Sequence, residues 1–261
     1  MNNKKDSGNL SSDKLLRIIE GLAACRQPSR LTDLSEKLGI PQPTALRYLK
    51  TLCSQGYAYQ DDNTGCYALT WKICLLGDAV KTNLTLRSIA SPILRDAANE
   101  IGAGTLLAVE SNGRILYLDY IDNPRWTSKT FLRIGRDAPI YASASGKILL
   151  SSFSRHKVES IMENAGLEHL TPKTITNPDT LFTELAQIQR QHYSIDDEEC
   201  ELGYRCVSVP VYDYTGLIVA AISAFDSIER LSMSRIEDEV VPQLKKYAGI
   251  ISGRLGYFES I

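Results

Sequence analysis

Long apolar runs are missing from this sequence, and none approaches the roughly 20 residues that a membrane-spanning helix requires. The N-terminal stretch MNNKKDSGNLSSDK also lacks the apolar core of a signal peptide. The two absences predict a protein that stays in the cytoplasm and has no membrane partner.

Metal-binding cysteine pairs are also missing. The six cysteines include no CxxC pair, and most lie inside apolar stretches, where a reduced thiol packs as a small hydrophobic group. We therefore expect no structural zinc, no disulfide and no cofactor.

The chain has little net charge, but its charge is unevenly distributed. The total is −2, yet residues 1–75 hold ten Lys and Arg against seven Asp and Glu. The rest of the chain holds 19 against 24. The modest positive charge therefore belongs to the N-terminal part, as expected if that part contacts phosphates.

Residues 30–55 read as two short helices joined by a tight turn, with the sequence RLTDLSEKLGIPQPTALRYLKTLCSQ. We expect Thr32 to cap the first helix and Gly39 to end it in a left-handed conformation. Pro41 and Pro43 fall in the first turn of the second helix, where a missing N–H costs nothing. This pattern is typical of a helix-turn-helix.

The second helix separates apolar from polar side chains. At about 100° per residue, one side collects apolar residues and the other presents hydroxyls, an Arg and a Lys, which are suited to a DNA major groove. The alternative is an ordinary helical hairpin that has a solvated outer face or contacts another protein. The candidate DNA-contacting residues are Gln42, Thr44, Arg47, Tyr48, Lys50, Thr51 and Ser54.

The segment after this helix supports DNA binding. It reads YAYQDDNTGCYALT, two alternating runs around a turn-forming tip, which predicts a β-hairpin. Two helices followed by a hairpin predict a winged helix-turn-helix domain over residues 1–70.

Residues 71–80 and 84–101 have apolar, helical spacing and predict linker and dimerisation helices over residues 71–101. Ser91-Pro92 marks either a kink or a new helix start. The alternative is that these helices pack only on their own domain. A dimer is also expected because one reading helix covers only a few base pairs.

From Gly104 the pattern changes to period two, with two strands predicted around Asn112-Gly113. FLRIG and PIYAS are further strand candidates, and Ser145-Gly146-Lys147 opens an apolar helix. Helices follow at 156–164 and 180–192, then two buried strands around residues 213–216 and a helix over 234–253. Residues 102–261 are therefore expected to form an α+β domain with an antiparallel sheet.

Several blocks together resemble the IclR family of bacterial transcriptional regulators over essentially the whole chain. They are TALRYLKTLCSQGY, IGRDAPIYASASGKILLSS, IDDEECELGYRCVSVPVYDYTGLIVAAIS and the C-terminal GRLGY. The resemblance implies a DNA-binding domain, a linker helix and a GAF-like domain that binds a small carboxylate effector. Within the family, IGRDAPIYASASGK and the LGY tail look similar to regulators of sugar-acid catabolism, such as those of 2-keto-3-deoxygluconate breakdown. A homodimer or dimer of dimers on a near-palindromic operator is then expected.

Effector-binding residues are expected in two places. Small residues and backbone N–H groups at a helix N-terminus suit a carboxylate, so we expect Ser143, Ala144, Ser145 and Gly146 to bind it. The alternative there is a plain helix start with a solvated Lys147. By matching position in the family, the resemblance adds Asp196, Cys206 and Ser223.

The sequence departs from the family pattern at two positions. Pro43 stands where many members have Ser, which removes a hydroxyl contact to DNA. Phe225 replaces a second serine two residues after Ser223, and we expect it to make the pocket floor more apolar.

An enzyme with a cysteine nucleophile, Cys206 or Cys200, is the competing function. A thiolate nucleophile needs a base or cation within hydrogen-bond reach. The three histidines, His156, His169 and His192, all fall in predicted surface helices or loops. We therefore predict a transcriptional regulator, more specifically a repressor of a catabolic operon, and not an enzyme.

Overall fold

The computed structural model describes residues 10–25, 27–76, 85–123 and 137–258. The chain divides into two compact units, residues 1–84 and 85–261. None of the helices in the described ranges is both long enough and apolar enough to cross a membrane.

The first unit is the predicted winged helix-turn-helix. Its elements are α1 (Leu10–Ala23), α2 (Leu31–Leu38), α3 (Gln42–Ser54), β1 (Ala58–Gln60) and β2 (Tyr67–Leu69). β1 and β2 pair antiparallel, as predicted for the wing. The helices enclose a small core around Ile18, Leu34 and Leu49, all 1% exposed or less.

The turn between α2 and α3 follows the sequence with one exception. Gly39 ends α2 in the left-handed region at φ 62°, and Ile40 N–H donates to Ser35 O, as in a Schellman motif. The prediction that Thr32 caps α2 is wrong. The helix begins at Leu31, two residues earlier than a Thr32 cap allows, and the Thr32 hydroxyl donates to the side chain of Asp33.

The second unit is built on a six-stranded antiparallel sheet with strand order β5-β4-β3-β8-β7-β6. The strands are β3 (Gly104–Ser111), β4 (Arg114–Ile121), β5 (Asp137–Pro139), β6 (Ser194–Asp197), β7 (Tyr204–Tyr212) and β8 (Ile218–Ser227). The predicted hairpins are confirmed. Asn112 and Gly113, at φ 53° and 76°, form the turn between β3 and β4.

The helices of this unit are α4 (Leu86–Ile101), α5 (Ala144–Ser151), α6 (Arg155–Ala165), α7 (Pro178–Gln191), α8 (Met233–Arg235) and α9 (Val241–Arg254). A π-helical turn, Ile236–Val240, joins α8 to α9. Pro92 lies inside α4 without ending it, so it does not start a new helix.

Each sheet face has its own core. β7 directs Val207, Val209 and Val211 into the core that contains α4 and α9. Alternate residues face the other way, towards the core that contains α5, α6 and α7. The α+β class with an antiparallel sheet is therefore confirmed.

Three predictions about linking segments have different outcomes. Residues 72–76 are helical, in agreement with the sequence, but residues 77–84 lie outside the described residues. FLRIG, residues 131–135, also lies outside them. PIYAS as a strand is wrong, because the strand ends at Pro139 and the next residues turn into the Ser143 cap of α5.

Candidate functional site

The outer face of α3 is polar and accessible. Gln42, Arg47, Lys50, Thr51 and Ser54 are exposed, and Thr44 is half-buried. The opposite side is held in the core by Ala45, Leu49 and Leu52. Because five of the seven candidate residues share accessible positions on one helix, the surface can contact a groove of DNA.

Tyr48 does not belong to this exposed surface. Only 8% of the residue is exposed, because it lies among the core side chains. Its hydroxyl oxygen lies 2.5 Å from Ser11 Oγ and accepts a bond from Arg47 Nη2 at 3.1 Å. Tyr48 therefore ties α3 to α1 and orients Arg47, whose guanidinium carbon lies 4.9 Å from the Tyr48 ring centre.

The start of α5 has the geometry of an anion site. Ser143 is the N-cap, and its Oγ accepts from Gly146 N–H at 3.1 Å. Among the described residues, the N–H groups of Ala144 and Ser145 have no backbone acceptor. These two N–H groups, together with the helix dipole, are suited to a carboxylate.

Gly146 contributes through packing, not through its N–H group. A Cβ at this position would lie 1.9 Å from Ile140 O, so α5 approaches the preceding turn more closely than any other residue would allow. Its N–H group is already used by Ser143 Oγ.

A narrow cavity joins this helix start to the loop between β6 and β7. Its lining includes five of the expected effector residues, Ser143, Ala144, Ser145, Asp196 and Cys206. Its volume is about 30 Å³, roughly the room that one water molecule takes. A larger ligand must therefore move some of the wall to enter.

Asp196 is held rigidly beside this cavity. It is 7% exposed, and its Oδ1 accepts the N–H groups of Glu199 at 2.8 Å and Cys200 at 3.2 Å. Burial raises the pKa of Asp196, and the hydrogen bonds from the Cys200 and Glu199 backbone oppose that rise.

Ser223 does not line the cavity. It lies on the same sheet face, fully buried, and its hydroxyl donates to Ser208 Oγ at 2.9 Å. Phe225 is also absent from the lining. It is 2% exposed, and its ring stacks on Tyr120 with ring centres 5.1 Å apart.

Lys147 is the functional candidate that sequence reasoning missed. The alternative of a plain helix start placed this side chain in solvent, but it is 0% exposed. Its Nζ donates to Ile195 O at 2.6 Å and to Glu199 Oε1 at 2.5 Å, and lies 3.4 Å from Glu184 Oε1. A helix-start Lys gives no local signal of burial, because its partners are far away in the sequence.

Comparisons with known proteins agree on one family. Residues 11–62 match the IclR helix-turn-helix domain, and residues 78–253 match the bacterial transcriptional regulator IclR C-terminal domain. The chain belongs to the IclR family.

Other IclR family members are similar along most of the chain. The HTH-type transcriptional regulator KdgR of Escherichia coli is 32% identical over 246 residues, covering 94% of this chain and 92% of KdgR. The transcriptional repressor IclR of the same organism is 30% identical over 225 residues, which cover 85% of this chain and 82% of that repressor. The crystal structure of the Thermotoga maritima IclR has a TM-score of 0.63 at 27% sequence identity. The match covers 95% of this chain and 99% of the Thermotoga chain.

Family membership makes this protein a DNA-binding transcriptional regulator, and its two units correspond to the DNA-binding and effector-binding domains. The residues around the cavity give little support to the competing hypothesis of an enzyme with a cysteine nucleophile. Cys200 and Cys206 both line it, but its described lining includes no histidine. His156, His169 and His192 are all exposed.

Proposed function

We propose that this IclR family protein represses a catabolic operon and that a small hydroxylated or keto carboxylate, such as a sugar acid, controls its binding to DNA. The observation that carries the proposal is the cavity shared by the α5 N-terminus and Asp196. The N–H groups of Ala144 and Ser145 would take the carboxylate, and Asp196 would accept hydrogen bonds from the ligand's hydroxyls.

The names of relatives support this direction. KdgR regulators of two bacteria are 32% and 30% identical, and the acetate operon repressor of Salmonella typhimurium is 31% identical over 85% of this chain. Repression is our proposal, since a p-hydroxybenzoate hydroxylase transcriptional activator is 29% identical.

The DNA-bound form is proposed to be at least a homodimer, or a dimer of dimers, on a near-palindromic operator. One exposed α3 face contacts only a few base pairs, so two copies are needed for useful specificity. Gln42, Thr44, Arg47, Lys50, Thr51 and Ser54 are the proposed DNA contacts, and the Tyr48 hydroxyl reaches the DNA only through Arg47.

An effector can shift operator occupancy only through different affinities for two arrangements of the protein. A coupling of about 1 to 3 kcal/mol changes operator affinity by roughly one to two orders of magnitude. The narrow cavity fits such a mechanism, because its volume of about 30 Å³ is too small for a sugar acid unless its walls move.

The test is a titration of sugar acids and 2-keto acids against the protein–operator complex, followed by fluorescence anisotropy. The affinity of the wild-type protein for the operator should fall or rise when one class of carboxylate is added. Asp196→Asn and Ser145→Leu should lose that response while binding DNA normally without effector. Asp179→Asn, the same type of change at an exposed position on α7, is the matched control. A full response in both cavity variants, with folding confirmed by thermal melts, would place the effector elsewhere.

A further inference from the structure

A second and larger cavity lies beside the outer edge of the sheet, next to β6 and α7. Its volume is about 380 Å³, within the range typical of small-molecule sites. It shares no lining residue with the cavity at the α5 start. The strand pleat explains the separation, because Asp196 faces one cavity while Ile195 and Asp197 face the other.

The lining of this second cavity is acidic. Its described lining contains the carboxylates of Glu184, Asp197, Glu199 and Glu237 but only one cation, Lys173. Asp197 is already neutralised, because Arg205 Nη2 lies 2.5 Å from it and Lys173 Nζ lies 3.2 Å from it. The negative charge that remains belongs to the three glutamates.

These three glutamates share too little positive charge. The buried Lys147 Nζ serves both Glu199, at 2.5 Å, and Glu184, at 3.4 Å. Within the described ranges no cation lies within ion-pair distance of Glu237.

One of the two carboxylate oxygens of Glu199 also lacks a hydrogen-bond donor among the described residues. Its side chain is 8% exposed, and in the described part of the chain its Oε2 is buried without a hydrogen-bond partner. A buried carboxylate oxygen without a donor is costly. Burial raises the pKa of Glu199 to about 7, consistent with this shortage of positive charge and donors.

We propose that this cavity binds a small organic cation carrying a primary ammonium group. An ammonium has three donors and a full positive charge, so it can bond Glu184, Glu199 and Glu237 together. Ile175, Ile195 and Met233 line the same cavity and supply apolar surface for an aliphatic body. A metal ion fits less well, because no described group of His, Cys, Asp and Glu side chains is placed to hold one.

The experiment uses the full chain and 1,4-diaminobutane as the probe, with 1-butanol as a neutral comparison and Mg²⁺ as the inorganic one. Isothermal titration calorimetry at low ionic strength should show saturable diamine binding and none for butanol or Mg²⁺. Glu184→Gln and Glu237→Gln should each weaken diamine binding by roughly tenfold, through the loss of one charge-assisted contact.

The two variants are suited to this test because Glu184 is 31% exposed and Glu237 is exposed. When Glu184 is changed, the buried Lys147 keeps Glu199 and Ile195 O as partners. Glu163→Gln on α6 makes the same change at an exposed position outside the cavity and should leave binding unchanged. Equal binding of butanol, stronger binding of Mg²⁺, or unchanged diamine affinity in both cavity variants would overturn the proposal.

Discussion

Lys147 Nζ lies 2.5 Å from Glu199 Oε1, and this ion pair joins helix α5 to the loop after β6. Burial by itself lowers the pKa of Lys147, but the Glu199 and Glu184 carboxylates more than offset it, so that pKa lies above its usual range. The backbone of the same Glu199 donates to Asp196. One residue therefore positions both sides of the proposed effector cavity.

This pair predicts a pH dependence of stability. Burial raises the pKa of Glu199 to about 7, above the value of about 4.3 for an unfolded glutamate. Between those two values the folded state binds a proton that the unfolded state has lost, so stability falls as pH rises. Glu199→Gln removes that titration. The wild type should therefore lose on the order of 2 to 3 kcal/mol relative to Glu199→Gln between pH 5 and 8.

Thermal or urea unfolding of both proteins across this pH range measures the difference. Asp196 is present in both proteins, so its own titration largely cancels. For Glu163→Gln, at an exposed position on α6, the free energy of unfolding should differ from that of wild type by the same amount at every pH. If the free energy of unfolding of Glu199→Gln also differs from that of wild type by the same amount at every pH, Glu199 is ionised in the folded protein throughout the range.

Arg47→Ala should weaken operator binding by about 1 to 3 kcal/mol if the guanidinium contacts a guanine. Arg47 is exposed and is oriented by the Tyr48 hydroxyl. Lys50→Ala should instead weaken all DNA sequences alike and reduce the salt slope by about 1. Anisotropy titrations at several salt concentrations distinguish the two effects. The control is Arg190→Ala on α7, in the other unit, which should leave operator affinity unchanged. Unchanged operator affinity in Arg47→Ala would show that another surface reads the DNA.

Gly146→Ala should destabilise the protein by at least about 2 to 3 kcal/mol, because the new Cβ meets the carbonyl of Ile140. That carbonyl lies 1.9 Å away and belongs to the backbone, so it cannot rotate aside. Gly249→Ala is the matched change in α9, where no described atom outside the helix's own backbone lies within 4 Å of the added Cβ. It should stabilise by about 0.5 to 1 kcal/mol. Urea unfolding should show that the free energy of unfolding falls in Gly146→Ala and rises in Gly249→Ala. Equal changes in the two variants would refute close packing at Gly146.

Gly104 and Phe225 should show strong energetic coupling. A Cβ on Gly104 would lie 2.1 Å from Phe225 Cζ, so Gly104→Ala should disturb the stacked ring. Phe225→Ala alone should cost about 3 to 5 kcal/mol through loss of a buried ring. In the double variant the clash is gone, so the cost of Gly104→Ala should fall by at least about 1 kcal/mol. Additive free energies of unfolding would show that the ring does not occupy the space over Gly104.

Local features of the fold follow from the sequence alone. Gly39 ends a helix and Asn112-Gly113 turns a hairpin because these residues tolerate positive φ, a property that acts within a few residues. The polar face of α3 is equally local, since helical spacing decides which side chains lie together. Five of the seven residues predicted to contact DNA are exposed, and Tyr48 is the one that is buried.

Tertiary structure alone decided which polar groups are buried. Lys147 is closed off by Glu199, 52 residues away, and by Glu184, 37 residues away, and nothing near Lys147 in sequence encodes that contact. Ser223 likewise bonds Ser208 across neighbouring strands instead of facing the cavity. Burial is set by which distant segments pack together, and a charge enters the interior only where such a segment brings its counter-charge.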